Sequence, residues 1–309
     1  MTENIPHQPI MVAEILDALR PKDHHLYIDG TLGAGGHTAA ILSVAPQARI
    51  IAFDRDPEAI ALAKSRLEGF DVTIIHDSYL SMQKVLHSYD IDGLADGILL
   101  DLGASSMQFD RAERGFAFRL DGPLDMRFDP SSDGPTAADL VNELPADALA
   151  DILYRFGEEK QSRRIARAIV EARPIYTTRQ LATLIEKLPH SREKIHPATR
   201  TFQALRIAVN DELKAVEAVI PMAIACLRTG GRLAVLTFHS LEDRLVKQAF
   251  KQAATDCLCP PKQPLCTCGH VATVRLINRK PIVASETEIK DNQRARSAKL
   301  RVVERLPTS

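Results

Sequence analysis

Four apolar runs, three of them ending on a carboxylate and alternating with helical patterns, constrain the fold of this chain more than any other feature. They are residues 25–29 (HLYID), 49–54 (RIIAFD), 72–75 (VTII) and 97–101 (GILLD). Each run is apolar throughout rather than at every second position, the mark of strands buried on both faces of a parallel sheet. Parallel strands need crossovers, and helical patterns fill the gaps. One of these opens with Asp56, Pro57 and Glu58, an N-cap followed by proline at the first helical position. Ile10, Val12, Ile15, Leu16 and Leu19 predict an amphipathic helix ahead of the first strand. The pattern stops after Asp101. Residues 101–133 are rich in Gly, Asp, Arg and Phe, and residues 136–228 read as helical, with helices over 148–156, 163–173, 178–188 and 202–227. Strand character resumes at 232–238, with later candidates at 274–277 and 300–303. The expected architecture is α/β, a doubly wound Rossmann-like sheet formed by residues 1–105 and 216–309, interrupted by an all-helical domain over 106–215.

The longest apolar runs fall far short of the ~20 residues that span a bilayer, and the polar N-terminus lacks a signal-peptide pattern. No membrane association and a cytoplasmic location are therefore expected. The net charge of −1 hides a strong asymmetry. Residues 1–150 hold 11 Lys+Arg against 24 Asp+Glu, whereas residues 155–206 hold 12 against 5 and residues 275–305 hold 9 against 4. Basic segments beside an acidic front half point to a polyanionic partner, with solvated helix faces as the plainer reading.

The first strand runs into Gly30, Gly33, Gly35 and Gly36 before a helix begins. Glycines there let backbone N–H groups approach a ligand. The dinucleotide fingerprint orders its glycines differently, and Asp29 places a carboxylate where a pyrophosphate would be repelled. A cationic nucleoside without phosphates suits the loop better. S-adenosylmethionine is such a ligand, and class I methyltransferases combine this loop with an acidic residue closing strand two, the position of Asp54. Asp29, Asp54 and Asp101 should share one crevice at the carboxyl ends of the strands. Tyr79, just past strand three, is placed to cover an adenine face or else is a surface aromatic.

The stretches 27–37 (YIDGTLGAGGH), 101–106 (DLGASS), 114–118 (RGFAF), 122–127 (GPLDMR), 196–203 (HPATRTFQ) and 238–244 (FHSLEDR) resemble the bacterial small-subunit ribosomal RNA cytosine-N4 methyltransferases. The resemblance runs from about residue 5 to 305. It implies an S-adenosylmethionine-dependent class I methyltransferase acting on the N4 amine of a cytidine in the decoding region of the small subunit. It implies cofactor contacts at Gly33, Gly35, Gly36, His37, Asp54, Tyr79, Asp101 and Gln108. It also places Arg114, Phe116, His196, Arg200 and His239 near the substrate, although such residues are often caps or packing elements. Homodimerisation is left open. Rival readings are a methyltransferase of another RNA or DNA base, a nicotinamide-dependent dehydrogenase, and a non-catalytic RNA-binding protein with a methyltransferase fold.

A cytosine amine is a weak nucleophile because its lone pair is delocalised into the ring. An acceptor facing its N–H bonds stabilises the charge that develops on transfer. Asp101 is the candidate acceptor, with Ser105 or Ser106, and Phe109, Phe116 or Phe118 are candidates for base stacking. Cys257, Cys259, Cys266 and Cys268 form two C-x-C pairs in a loop that also holds Pro260, Pro261 and Pro264. Four thiolates could hold zinc, although the spacing is tighter than in usual structural sites, and free thiols or reversible oxidation are the alternatives.

Overall fold

A computed structural model describes residues 9–91, 95–189, 195–260, 263 and 265–307, so Pro261 and Pro264 of the cysteine loop lie outside the described residues. The chain divides into two compact units, Met1–Gly103 with Leu213–Ser309, and Ala104–Glu212. The first unit opens with α1 (Val12–Leu19), β1 (Leu26–Asp29), α2 (Gly36–Val44), β2 (Arg49–Asp54), α3 (Pro57–Arg66), β3 (Val72–His76), α4 (Met82–Ser88) and β4 (Ala95–Asp101). The second unit contributes α5 (Ser106–Asp110), α6 (Ala137–Glu143), α7 (Ala146–Gly157), α8 (Ser162–Glu171), α9 (Thr178–Glu186) and α10 (Thr199–Asn210). The chain then forms α11 (Glu212–Cys226), β5 (Leu227–Thr237), α12 (Ser240–Ala253), β6 (Val274–Leu276), β7 (Ile282–Val283), α13 (Glu286–Asp291) and β8 (Lys299–Arg305).

The strands form one sheet in the order β3-β2-β1-β4-β5-β8-β6, with β7 also paired to β8. The first five are parallel, and β8 is antiparallel to β5. The apolar runs explain this architecture through their two faces. Tyr27, Ile50, Ala52, Leu99, Ala234 and Leu236 join one core, while Ile28, Ile51, Phe53, Ile98, Leu100, Leu233 and Val235 join the other. Alternate residues of the same strand thus enter opposite cores, each large aliphatic or Phe side chain stabilising by about 1.5–3 kcal/mol. The chain leaves β1 for β2 and β3 on one side and returns to β4 on the other. The switch point therefore lies between β1 and β4, where doubly wound sheets open their ligand crevice.

The helical unit buries a separate core that includes Phe116, Leu149, Leu153, Ile169, Leu181 and Leu205. The single helix expected over 202–227 is two helices. Asp211 stands in the left-handed region at φ 51° and ends α10, its N–H bonding to the Ile207 carbonyl. The apolar periodicity continues across this break, which is why the sequence pattern does not show it. Strand five likewise begins earlier than expected, at Leu227, and the two-residue β7 is too short to leave a periodic signal.

Asn210 explains part of the break. Its amide donates to the carbonyls of Met126 (2.8 Å) and Arg206 (2.9 Å), and its Oδ1 accepts from the N–H of Phe128 (2.8 Å). It thereby holds a loop in which Met126 itself has φ 65°. Asn210→Ala strands buried backbone groups, so we expect it to destabilise the helical unit by about 2–3 kcal/mol, read as a lower midpoint in denaturant unfolding.

Candidate functional site

The carboxyl ends of β1, β2 and β4 carry the three expected aspartates. β1 stops at Asp29, in register with Ala52 and Leu99, while β2 and β4 each run two residues further. Asp29 is fully buried, its Oδ1 accepting from the N–H of Thr31 (3.0 Å) and its Oδ2 from the hydroxyl of Thr38 (2.7 Å). Burial pushes its carboxyl up, against the pull of the Thr38 hydroxyl, the His37 imidazole and the Thr31 N–H. Thr31 in turn accepts from the N–H of Asp101 (2.6 Å), joining the ends of β1 and β4.

The glycine loop hangs from these strand ends. Gly33 (φ 52°) donates its N–H to Asp54 Oδ2 at 2.6 Å, and Asp56 donates to Asp54 Oδ1 at 2.8 Å. A Cβ on Gly33 would meet nothing within 4 Å, so the loop faces open space there. Gly35 (φ 75°) is the left-handed N-cap of α2, a conformation that costs a larger residue about 1–2 kcal/mol. Gly36 begins that helix. Burial pushes Asp54 up to about 6, opposed by the N–H groups of Asp56 and Gly33. Tyr79 sits in a short 3-10 turn after β3, its Cβ 3.3 Å from the position a Cβ on Gly30 would take.

His37, in the first turn of α2, is buried and places Nε2 3.3 Å from Asp101 Oδ2. Burial alone would lower its pKa, but the Asp101 carboxylate beside it, with Asp29 and Glu288, raises it above the ordinary histidine value. Two buried atoms here, His37 Nδ1 and Asp101 Oδ1, have no hydrogen-bond partner among the described residues. Orphaned polar atoms cost free energy unless a further group meets them, which makes these two candidates for a ligand contact. Glu288 was not legible as a neighbour, because it lies in α13 far along the chain and belongs to no motif. It also accepts from the Met11 N–H at 2.6 Å.

His239 lies beyond the end of β5 as the N-cap of α12, in a capping box with the buried Glu242. Its Nε2 is 3.0 Å from Glu242 Oε1. The remaining sequence candidates belong to the helical unit. Ser105 and Gln108 form the capping box of α5, and Ser106 and Gln108 are both buried. The buried Arg114 donates to the carbonyls of Arg127 and Phe128 (3.2 and 2.9 Å). Phe116 is also buried, stacked on Phe128 and edge-on to Phe109. The structure does bring His196 and Arg200 together, lining a pocket with Glu159, Gln161 and Ile165. His196 stacks on Phe118, with ring centroids 4.3 Å apart, and its Nε2 lies 2.7 Å from Glu186 Oε1.

The four clustered cysteines lie in the loop between α12 and β6, with every Sγ within 4.8 Å of the others. N–H groups of His270 and Leu258 hold the Cys268 thiol down at about 6. No described helix is long and apolar enough to cross a membrane.

Residues 4–306 match the family model of the MraW methylase family. The chain belongs to the MraW methylase family. It is 51% identical over 313 residues to a "Ribosomal RNA small subunit methyltransferase H" of Geobacter sp. (strain M21), covering 98% of this chain and 100% of that protein. A protein of the same name from Dehalococcoides mccartyi (strain ATCC BAA-2266 / KCTC 15142 / 195) is 49% identical, covering 99% and 88%. One from Heliobacterium mobile is 48% identical, covering 97% and 99%. As an MraW-family chain this protein is a methyltransferase.

The His37–Asp101 pair yields a direct prediction. Because the folded-state pKa of His37 is raised, the pair stabilises the fold fully below the unfolded histidine value and loses that contribution as pH rises through the folded value. In Asp101→Asn the main charge holding the proton is gone and burial dominates. His37 is then expected to titrate lower than in the wild type, a reversal that NMR of the imidazole nitrogens detects.

Proposed function

We propose that this MraW-family chain transfers a methyl group from S-adenosylmethionine to the N4 amine of a cytidine in the decoding region of small-subunit ribosomal RNA. The observation that carries the reading is identity of about half, over essentially the whole chain, to proteins named as methyltransferases of that RNA. The target atom and its place in the RNA rest on the resemblance carried by the six motifs.

The chain's own residues fit the donor. Gly33 leaves open space beside Asp54, whose carboxylate can accept from ribose hydroxyls, and the strand-end carboxylates favour a cationic ligand over a phosphate. Gly35 and Gly36 pack closely against Leu67 and Pro9 and so set the start of α2, which carries His37, and Tyr79 stands near Gly30 to cover an aromatic base. When bound, S-adenosylmethionine supplies a methyl group on a positively charged sulfur. The protein's task is then alignment and electrostatics. Asp101 Oδ1, buried and without a hydrogen-bond partner among the described residues, is the acceptor for the amine N–H. His37 on the opposite oxygen fixes the carboxylate's orientation. Ser105 and Ser106 are candidates to assist, and Gln108 for a cofactor contact.

The helical unit is assigned to the RNA. α8 buries Ser162, Ile165, Ala166 and Ile169, and exposes Arg163, Arg164 and Arg167 along its other side. A phosphate backbone matches such a face, and the pocket of His196 and Arg200 in the same unit, where His196 stacks on Phe118, is assigned to RNA contacts of that unit. Arg114 and Phe116, which hold the loop of Arg127 and Phe128, and His239, which caps α12, are assigned supporting parts.

Methylation of isolated small subunits and of naked ribosomal RNA, with the product nucleoside identified by mass, tests the reading. N4-methylated cytidine is the expected product, and methylation of a different base would overturn the assignment. Asp101→Asn should lower kcat by about 10²–10³-fold while donor binding persists. An unchanged rate in that variant would remove Asp101 from the mechanism. Replacing Arg163, Arg164 and Arg167 by alanine should weaken RNA binding and flatten its salt dependence, by roughly one unit of log–log slope per lost phosphate contact. Donor affinity should also fall as pH drops below about 6, where Asp54 takes up a proton.

A further inference from the structure

The loop joining α12 to β6 contains no helix or strand among its described residues. Loops of this length without internal structure are uncommon in compact domains. Nor does a core hold it, for Leu258, Leu265 and Val271 are 45%, 77% and 55% exposed. Its base is tied by His270 Nε2 against the Gln252 carbonyl (3.0 Å) and by the Ala272 N–H to Asp256 (3.3 Å). Beyond that base, its sulfur atoms converge.

Cys257 Sγ lies 3.5 Å from Cys266 Sγ and 3.8 Å from Cys268 Sγ, and Cys266 and Cys268 are 3.6 Å apart. Zinc–thiolate bonds of about 2.3 Å in a tetrahedron set sulfur atoms about 3.8 Å apart, whereas a disulfide sets them about 2.05 Å apart. The spacings among Cys257, Cys266 and Cys268 are those of thiolates around one centre, and Cys259 Sγ lies within 4.8 Å of all three. We propose that Cys257, Cys259, Cys266 and Cys268 bind a single zinc ion that staples this loop.

Further observations support the assignment. The N–H groups of Leu258, Cys259 and Thr267 donate to the sulfurs of Cys268, Cys257 and Cys259, each at 3.4 Å. Donors aimed at sulfur orient and stabilise thiolate ligands, the part played by the outer shell of a metal site. The one-residue spacing within each pair is tighter than the usual two to four. The structure accommodates it by bringing the pairs together across the loop, so that Cys257 meets the second pair rather than its own neighbour alone. An all-sulfur tetrahedral set selects zinc or iron. A cluster of several irons would hold its thiolates further apart than one shared centre, and redox-inert zinc suits exposed sulfurs. This site is independent of the assignment of the methylated base.

Metal analysis of the full-length protein, purified under reducing conditions and reconstituted with Zn²⁺ alone, tests the proposal. About one zinc per chain is expected, falling below about a tenth in Cys266→Ser/Cys268→Ser. Donor binding by that variant reports whether the rest of the chain is folded. Should the variant fail to fold, Co²⁺ substitution of the wild type decides, with the visible absorption of tetrahedral cobalt–thiolate expected. In the wild type, chelation should speed proteolytic cleavage within 254–273 by about tenfold or more. Four freely alkylated thiols with no zinc, a mass lower by the hydrogens of two disulfides, bound iron in place of zinc, or undiminished zinc in the double variant would each overturn it.

Discussion

The buried carboxylate of Asp29 is the constraint on which the site depends. It sits where β1 gives way to the glycine loop, and both oxygens are used, one by the Thr31 N–H and one by the Thr38 hydroxyl. Thr31 passes the connection to the backbone of Asp101, so the ends of β1 and β4, which flank the switch point, are held in one hydrogen-bonded chain. A buried carboxylate is costly unless its oxygens are satisfied. Here that cost is offset by interactions that fix the start of α2 and hence the direction of the loop's N–H groups. Gly33, Asp54, His37 and Asp101 take their positions from this arrangement.

Charge is distributed by segment along the chain. The acidic surplus of residues 1–150 includes the strand-end aspartates, and the basic surplus of residues 155–206 includes the exposed arginines of α8. Near-neutrality of the whole chain is a cancellation between the acidic surplus of residues 1–150 and the basic surpluses of residues 155–206 and 275–305. Total charge therefore says little, whereas its placement on particular strand ends and helix faces says a good deal.

Much of the methyltransferase sheet was legible because buried parallel strands leave an unbroken apolar signal and a glycine loop leaves a compositional one. The helical unit was less legible. Asp211 breaks the expected helix at 202–227 without interrupting the apolar periodicity, since α10 and α11 are both amphipathic or buried. The polar candidates were the hardest to read. Arg114, His239 and Gln108 share the same chemistry whether they touch a ligand or satisfy the backbone. The structure shows Arg114 on two carbonyls, and His239 and Gln108 in capping boxes. His196 and Arg200, which the motif at 196–203 singled out but composition alone did not, share a pocket.

By itself the sequence determined the alternation of strands and helices, the carboxylates at three strand ends, the glycine loop and the two cysteine pairs, because each is written in residues close together in the chain. Tertiary structure alone decided how polar capacity is spent. Whether an arginine, histidine or asparagine is free depends on partners distant in sequence, as when Asn210 meets Met126 and Phe128, or Glu288 comes near His37. It also decided that four thiols converge rather than merely share a loop. Hydrogen bonds and ion pairs act over a few ångströms, and only folding brings those distances about.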